Sequence, residues 1–138
     1  MSELGLLDHS ELKLINQFHL RPYGAGYSFC FILKSDKTFL SGYIPSFLSS
    51  NIKVVGWLPQ NDLLGHKDIK AFVTHVGHNS LYESAYHGVP VVAVPLFADQ
   101  FANAKKAEHF GLGLTVNHRS TTVQQLVETI ELVVREPR

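Results

Sequence analysis

Apolar and polar positions along this 138-residue chain alternate between short, fully apolar runs and longer stretches that are apolar on one face. Near the start, Asp8 and Glu11 have the spacing of a capping box. Leu12, Ile15 and Phe18 or His19 share one helical face, which predicts a helix ending at Arg21-Pro22. Tyr23-Gly24-Ala25-Gly26 reads as a loop, and Tyr27 to Leu33 as a strand covered on both faces, with Cys30 packed in it as a small hydrophobe. Lys34 to Asn51 holds no clean period and contains Gly42 and Pro45, so a long loop is expected there. A strand Ile52 to Gly56, a short helix Gln60 to His66 and a strand Ile69 to Thr74 follow.

From there the order becomes regular. A helix from about Asn79 to His87 is closed by Gly88, a strand runs Val89 to Val94, and a helix from about Asp99 to Phe110 is closed by Gly111. A strand Leu112 to Val116 leads to a helix starting near Thr121, whose Val123, Leu126, Val127, Ile130 and Val134 form one apolar stripe. Strands joined by helix-length connections imply right-handed crossovers, hence an α/β fold with a doubly wound, Rossmann-like parallel sheet.

Composition narrows the picture. At 45% apolar and 17% charged residues the chain suits one compact domain. Twelve basic side chains balance twelve acidic ones, so there is no basic stripe and no nucleic-acid partner is expected. The longest apolar run, Val89 to Phe97, carries two prolines and falls short of the ~18 residues of a membrane span. With no basic segment leading an apolar one at the N-terminus, the chain as written is expected to be soluble, without signal or membrane segment.

In an open parallel sheet, ligands bind beyond the carboxyl ends of the strands. Three clusters are predicted to share that edge: Trp57 to Gln60, His75 to Ser80, and Pro95 to Gln100. They offer an indole to stack on a base, a glycine turn opening a helix N-terminus for an anion, and an acid-amide pair, Asp99 and Gln100, for hydroxyl groups. That set describes a nucleotide sugar. His75 can donate to a phosphate oxygen, Asn79 or Ser80 can add a hydrogen bond, and Glu83, one turn beyond Asn79 on the same face, can accept from ribose hydroxyls. Each residue also has a plainer role open to it. Trp57 fits a core or rim position, Asn79-Ser80 and Asp99 fit helix caps, Gln100 fits a solvated first turn, and Glu83 fits a surface carboxylate.

The residues Trp57-Leu58-Pro59-Gln60, Phe72-Val73-Thr74-His75-Val76-Gly77-His78-Asn79-Ser80-Leu81-Tyr82-Glu83, His87-Gly88-Val89-Pro90 and Pro95-Leu96-Phe97-Ala98-Asp99-Gln100 together strongly resemble the donor-binding signature of UDP-glucuronosyltransferases and related UDP-glycosyltransferases. The resemblance implies the C-terminal, nucleotide-sugar half of a two-domain GT-B glycosyltransferase. It implies that Trp57 and the backbone at Gln60 hold uracil, that His75, Gly77, Asn79 and Ser80 hold the diphosphate, that Glu83 binds ribose, and that Asp99 and Gln100 bind the sugar. The implied donor is UDP-glucuronate or another UDP-hexose, used without cofactor or metal, and the implied partner is an N-terminal acceptor domain that supplies the base. On this resemblance residues 1–138 form a single donor-binding domain that lacks the family's first strand, and the acceptor domain and membrane tail of these endoplasmic-reticulum membrane proteins are absent. No catalytic residue is assigned to the chain itself; His87, His109 and His118 read as helix-end or surface histidines.

One departure from the signature concerns the chemistry directly. Val76 stands where the family commonly has glycine, and a β-branched residue disfavours positive φ and would add bulk beside the phosphates. Rival readings fare worse. His75-x-x-His78 lacks the further converging ligands of a metal site. The glycines Gly24, Gly26, Gly111 and Gly113 fall outside the strand-to-helix position a dinucleotide fingerprint requires. The alternative that keeps its place is a non-catalytic fragment or partner with weak or no donor binding.

Overall fold

The computed structural model describes residues 17–23, 26–34, 52–55 and 57–136. The elements are β1 (Gln17–Tyr23), β2 (Gly26–Lys34), β3 (Ile52–Val55), α1 (Gln60–Leu64), β4 (Phe72–Thr74), α2 (His78–His87), β5 (Val91–Ala93), α3 (Gln100–His109), β6 (Gly113–Thr115) and α4 (Val123–Arg135). They form two three-stranded sheets, ordered β1-β2-β3 and β4-β5-β6.

The first sheet corrects the sequence reading at its start. Gln17 to Tyr23 is a strand, not the end of a helix, and it pairs antiparallel with β2 from Gln17↔Ile32 to Tyr23↔Gly26. Phe18, Leu20 and Pro22 alternate with Gln17, His19 and Arg21, a period of two that the helical spacing of Leu12, Ile15 and Phe18 obscures. Pro22 is tolerated because β1 lies at the sheet edge. β2 pairs in parallel with β3, as expected of strands separated by a long connection. The capping box at Asp8, the loop predicted over residues 35–51, Gly56 and the packing of Cys30 lie outside the described residues.

The second sheet is parallel, as expected, in the order β4-β5-β6. β4 pairs with β5 through Phe72↔Val91, Val73↔Val92 and Thr74↔Ala93, and β5 with β6 through Val91↔Gly113 to Ala93↔Thr115. Each helix returns the chain to the next strand in sequence, so α2 and α3 cover one face and α4 the other. The alternation of side chains divides the core accordingly. Phe72, Val91 and Ala93 pack with Leu64, Leu81, Ala104 and Ala107 from α1, α2 and α3, whereas Ala71, Val73 and Val92 pack with Ile130 and Val133 of α4.

Strand lengths are shorter than the apolar runs, because flanking residues such as Ile69 and Val89 are buried without joining the ladder. α2 ends where Gly88 adopts φ +65°, the left-handed conformation that a residue without Cβ enters at little cost. At Gly113 the reason for glycine is different: a Cβ there would lie 1.9 Å from the Val91 carbonyl oxygen, so the residue admits β6 to the ladder. α4 begins with a full capping box between Thr122 and Gln125. Its apolar stripe is narrower than predicted. Leu126, Ile130, Val133 and Val134 face the sheet, while Val123 and Val127 are exposed.

Candidate functional site

The chain leaves the carboxyl ends of β4 and β5 through two loops at the same sheet edge. They are joined at their base by the Val94 N–H donating to the Thr74 carbonyl at 2.8 Å. The first loop, residues 75–77, opens directly into α2. The Thr74 hydroxyl accepts from the Val76 N–H at 3.2 Å, and the Gly77 carbonyl accepts from Leu81 N–H, the first turn of the helix. Gly77 is the N-cap and no side chain caps the helix, so Asn79 and Ser80 are not caps and the leading amides carry the helix's positive end toward this edge. Asn79 is exposed in that first turn, and Ser80 is buried beside it.

Gly77 is held at φ −55°, so its requirement is spatial. A Cβ on it would meet the His75 imidazole Nε2 at 2.7 Å. The ring therefore folds over the turn, close to the helix N-terminus.

Val76 adopts φ 54° and is fully buried. The valine thus takes up the left-handed backbone that its branched side chain disfavours. Its side chain packs in the core with Phe72, Leu81 and Ala104, which corrects the expectation of bulk beside the phosphates. The departure from glycine costs backbone strain, not space in the site.

The other two clusters are tied by side chains, one to α2 and one to this turn. From α1, Gln60 Nε2 donates to Glu83 Oε2 at 2.7 Å and to Ser80 Oγ at 3.2 Å. Glu83, half-buried and paired, is not a plain surface carboxylate. From α3, Asn103 Nδ2 donates to the Val76 carbonyl and to Asp99 Oδ2, both at 3.1 Å. Asp99 sits at the N-cap of α3 in a helical conformation and makes no side-chain cap bond. Its carboxylate instead answers to Asn103 and remains exposed.

Gln100 is buried, and its Oε1 accepts from the N–H groups of Leu96 and Phe97 at 2.8 and 3.2 Å. It closes the loop after β5 and is not a solvated first-turn residue. With both Oε1 lone pairs used, the Nε2 donors are the part of it that can address a ligand. Trp57, on the segment between β3 and α1, is 73% exposed, which removes the core role and leaves the indole face open. At the other end of α2, His87 Nε2 lies 3.0 Å from Asn61 Oδ1, a contact that ties α2 to α1 away from the turn. Asn103 was not found from the sequence, although its four-residue spacing from Asp99 is the helical one that lets an amide meet a carboxylate.

Two loops at the ends of parallel strands, an uncapped helix tip under an imidazole and an exposed acid beside them define an α/β domain built to present polar groups along one sheet edge. A profile of the family described as UDP-glucoronosyl and UDP-glucosyl transferase matches residues 37–138, and the chain belongs to that family. It is 44% identical over 97 residues to the 2-hydroxyacylsphingosine 1-beta-galactosyltransferase of Homo sapiens, and 45% identical over 96 residues to UDP-glucuronosyltransferase 2A1 of Rattus norvegicus. Each match takes in 70% of this chain and 18% of the relative, so the chain spans about a fifth of their length. Among solved structures it resembles a UDP-glucose: anthocyanidin 3-O-glucosyltransferase in complex with UDP, with 31% identity, a TM-score of 0.70, and coverage of 79% of this chain and 25% of that one. The glycotransferase of kitacinnamycin gives 27% identity and a TM-score of 0.69 over 77% of this chain and 27% of that one. These neighbours are GT-B glycosyltransferases, and the α/β architecture here is theirs.

Proposed function

We propose that residues 1–138 form the UDP-sugar donor domain of a glycosyltransferase, which holds the nucleotide sugar while a hexosyl group passes to an acceptor hydroxyl. The observation that carries this reading is the stitching of α1 to α2, by Gln60 to Ser80 and Glu83, and of α3 to the 75–77 turn, by Asn103 to Val76 and Asp99, which joins the segments following three strands. Family membership and the likeness to a UDP-complexed glucosyltransferase support it.

On this reading the exposed face of Trp57 stacks on uracil and the backbone at Gln60 pairs with its edge. His75, the Gly77 turn, Asn79 and Ser80 receive the diphosphate at the amino end of α2. Glu83, aimed by the Gln60 amide, accepts from ribose hydroxyls. Asp99 accepts from sugar hydroxyls, and Gln100 donates to them through Nε2. The acceptor oxygen attacks the anomeric carbon as the bond to the β-phosphate oxygen breaks, and UDP departs with the electron pair. His75 and the helix amides stabilise the charge that grows on that leaving group. The helix terminus contributes about 0.3–1 kcal/mol. The base that takes the acceptor proton is assigned to the part of the relatives this chain does not span. The isolated chain therefore binds donor without transferring sugar, and needs no metal to do so.

Calorimetric titration with UDP, UMP and several UDP-hexoses tests this. UDP should bind more tightly than UMP, and His75→Ala and Glu83→Ala should each lose about 1–3 kcal/mol of affinity. The strained Val76 favours one second reading, a family member that binds donor weakly or not at all. Absence of heat with every nucleotide selects it.

A further inference from the structure

The geometry points to Asn103 as a positioning residue that makes a left-handed valine workable in the phosphate turn, holding residue 76 in place and aiming Asp99 with the same amide. This deepens the donor-site reading and rests on it. Asn103 is 4% exposed and lies one turn into α3, on a different element from the turn it serves. One Nδ2 hydrogen goes to the carbonyl of Val76 and the other to Asp99 Oδ2, so both donors of the amide are used between the loops that follow β4 and β5.

Residue 76 is the only member of the 75–77 turn with positive φ. Glycine would reach that conformation freely, whereas valine needs an outside restraint. Two bonds supply it. The Val76 N–H is held by Thr74 at the end of β4, and the carbonyl is held by Asn103. The buried valine side chain anchors the residue in the core from below. The carbonyl of residue 76 precedes the Gly77 N–H in the same peptide plane, so fixing that carbonyl also fixes the direction of the amide that leads into α2. Asn103 thereby sets the orientation of the phosphate-facing backbone without touching the ligand.

Asn103 and residue 76 are therefore coupled: the value of Asn103 depends on which residue stands at 76. The test is a double-mutant cycle in the 138-residue chain with Asn103→Ala, Val76→Gly and both together. UDP and uridine binding are followed by fluorescence of Trp57, the single tryptophan. With valine at 76, Asn103→Ala should weaken UDP about tenfold and leave uridine within about twofold, because only the diphosphate turn loosens. With glycine at 76, the same change should weaken UDP less than about threefold. Equal losses in both backgrounds, or a matching loss for uridine, overturn the inference. A parent chain that binds no UDP removes the donor reading instead. Thermal unfolding then still decides the brace: Asn103→Ala must lower Tm by several degrees more beside valine than beside glycine, and equal shifts overturn it.

Discussion

Gln100 and Gly77 show how much of the rim depends on single atoms. The Gln100 carbonyl closes the loop after β5 by accepting two backbone N–H groups, one of them on buried Leu96. Gln100→Ala leaves those donors unpaired and is expected to cost about 1–3 kcal/mol of stability in urea unfolding. Gln100→Glu keeps both acceptors and removes the Nε2 donors. It should recover most of that stability while losing the preference for UDP-hexose over UDP, a separation that calorimetry can read. At Gly77 the expected injury is of another kind. A methyl group there meets the His75 ring at 2.7 Å while the backbone angle suits any residue, so Gly77→Ala should displace the imidazole. UDP affinity is then expected to fall about tenfold with a smaller effect on melting temperature, since the clash is with the half-buried His75 ring and not with backbone.

At the scale of elements, α4 separates what packs from what only looks apolar. Val133 is buried against β4 and β5, whereas Val123 is 61% exposed. Val133→Ala should destabilise by about 2 kcal/mol, and Val123→Ser should stay within about 0.5 kcal/mol, both measured by denaturant unfolding. The helices and the parallel strands from residue 57 onward were legible in the sequence because each had a clear period and a glycine or capping residue at its end, Gly88 and Thr122 among them. β1 was not, because five residues of alternation at Phe18, Leu20 and Pro22 are too few to outweigh an adjacent helical spacing. The positions of Trp57, His75 and Asp99 in the segments that follow β3, β4 and β5 could be read from the order of elements. What the sequence could not convey were the cross-links, since nothing in the spacing of Gln60 and Glu83, or of Val76 and Asn103, says that their helices lie side by side. The burial of the Val76 side chain was hidden for the same reason: its direction follows from a backbone angle that sequence pattern does not encode.

For the whole molecule, the rim is a joint product of α1, α2 and α3, and its integrity rests on a few side-chain bonds between them. Gln60→Leu removes the link from α1 to α2, leaves half-buried Glu83 without its amide partner and should weaken UDP about tenfold, as seen by titration. The alternating burial of β4 and β5 has a consequence in the opposite direction. Residues 71, 73 and 92 answer to α4, while 72, 91 and 93 answer to the helices that carry the rim. The sheet thus works as an insulating partition: the layer behind it can be repacked to raise thermal tolerance without disturbing the rim along its front edge.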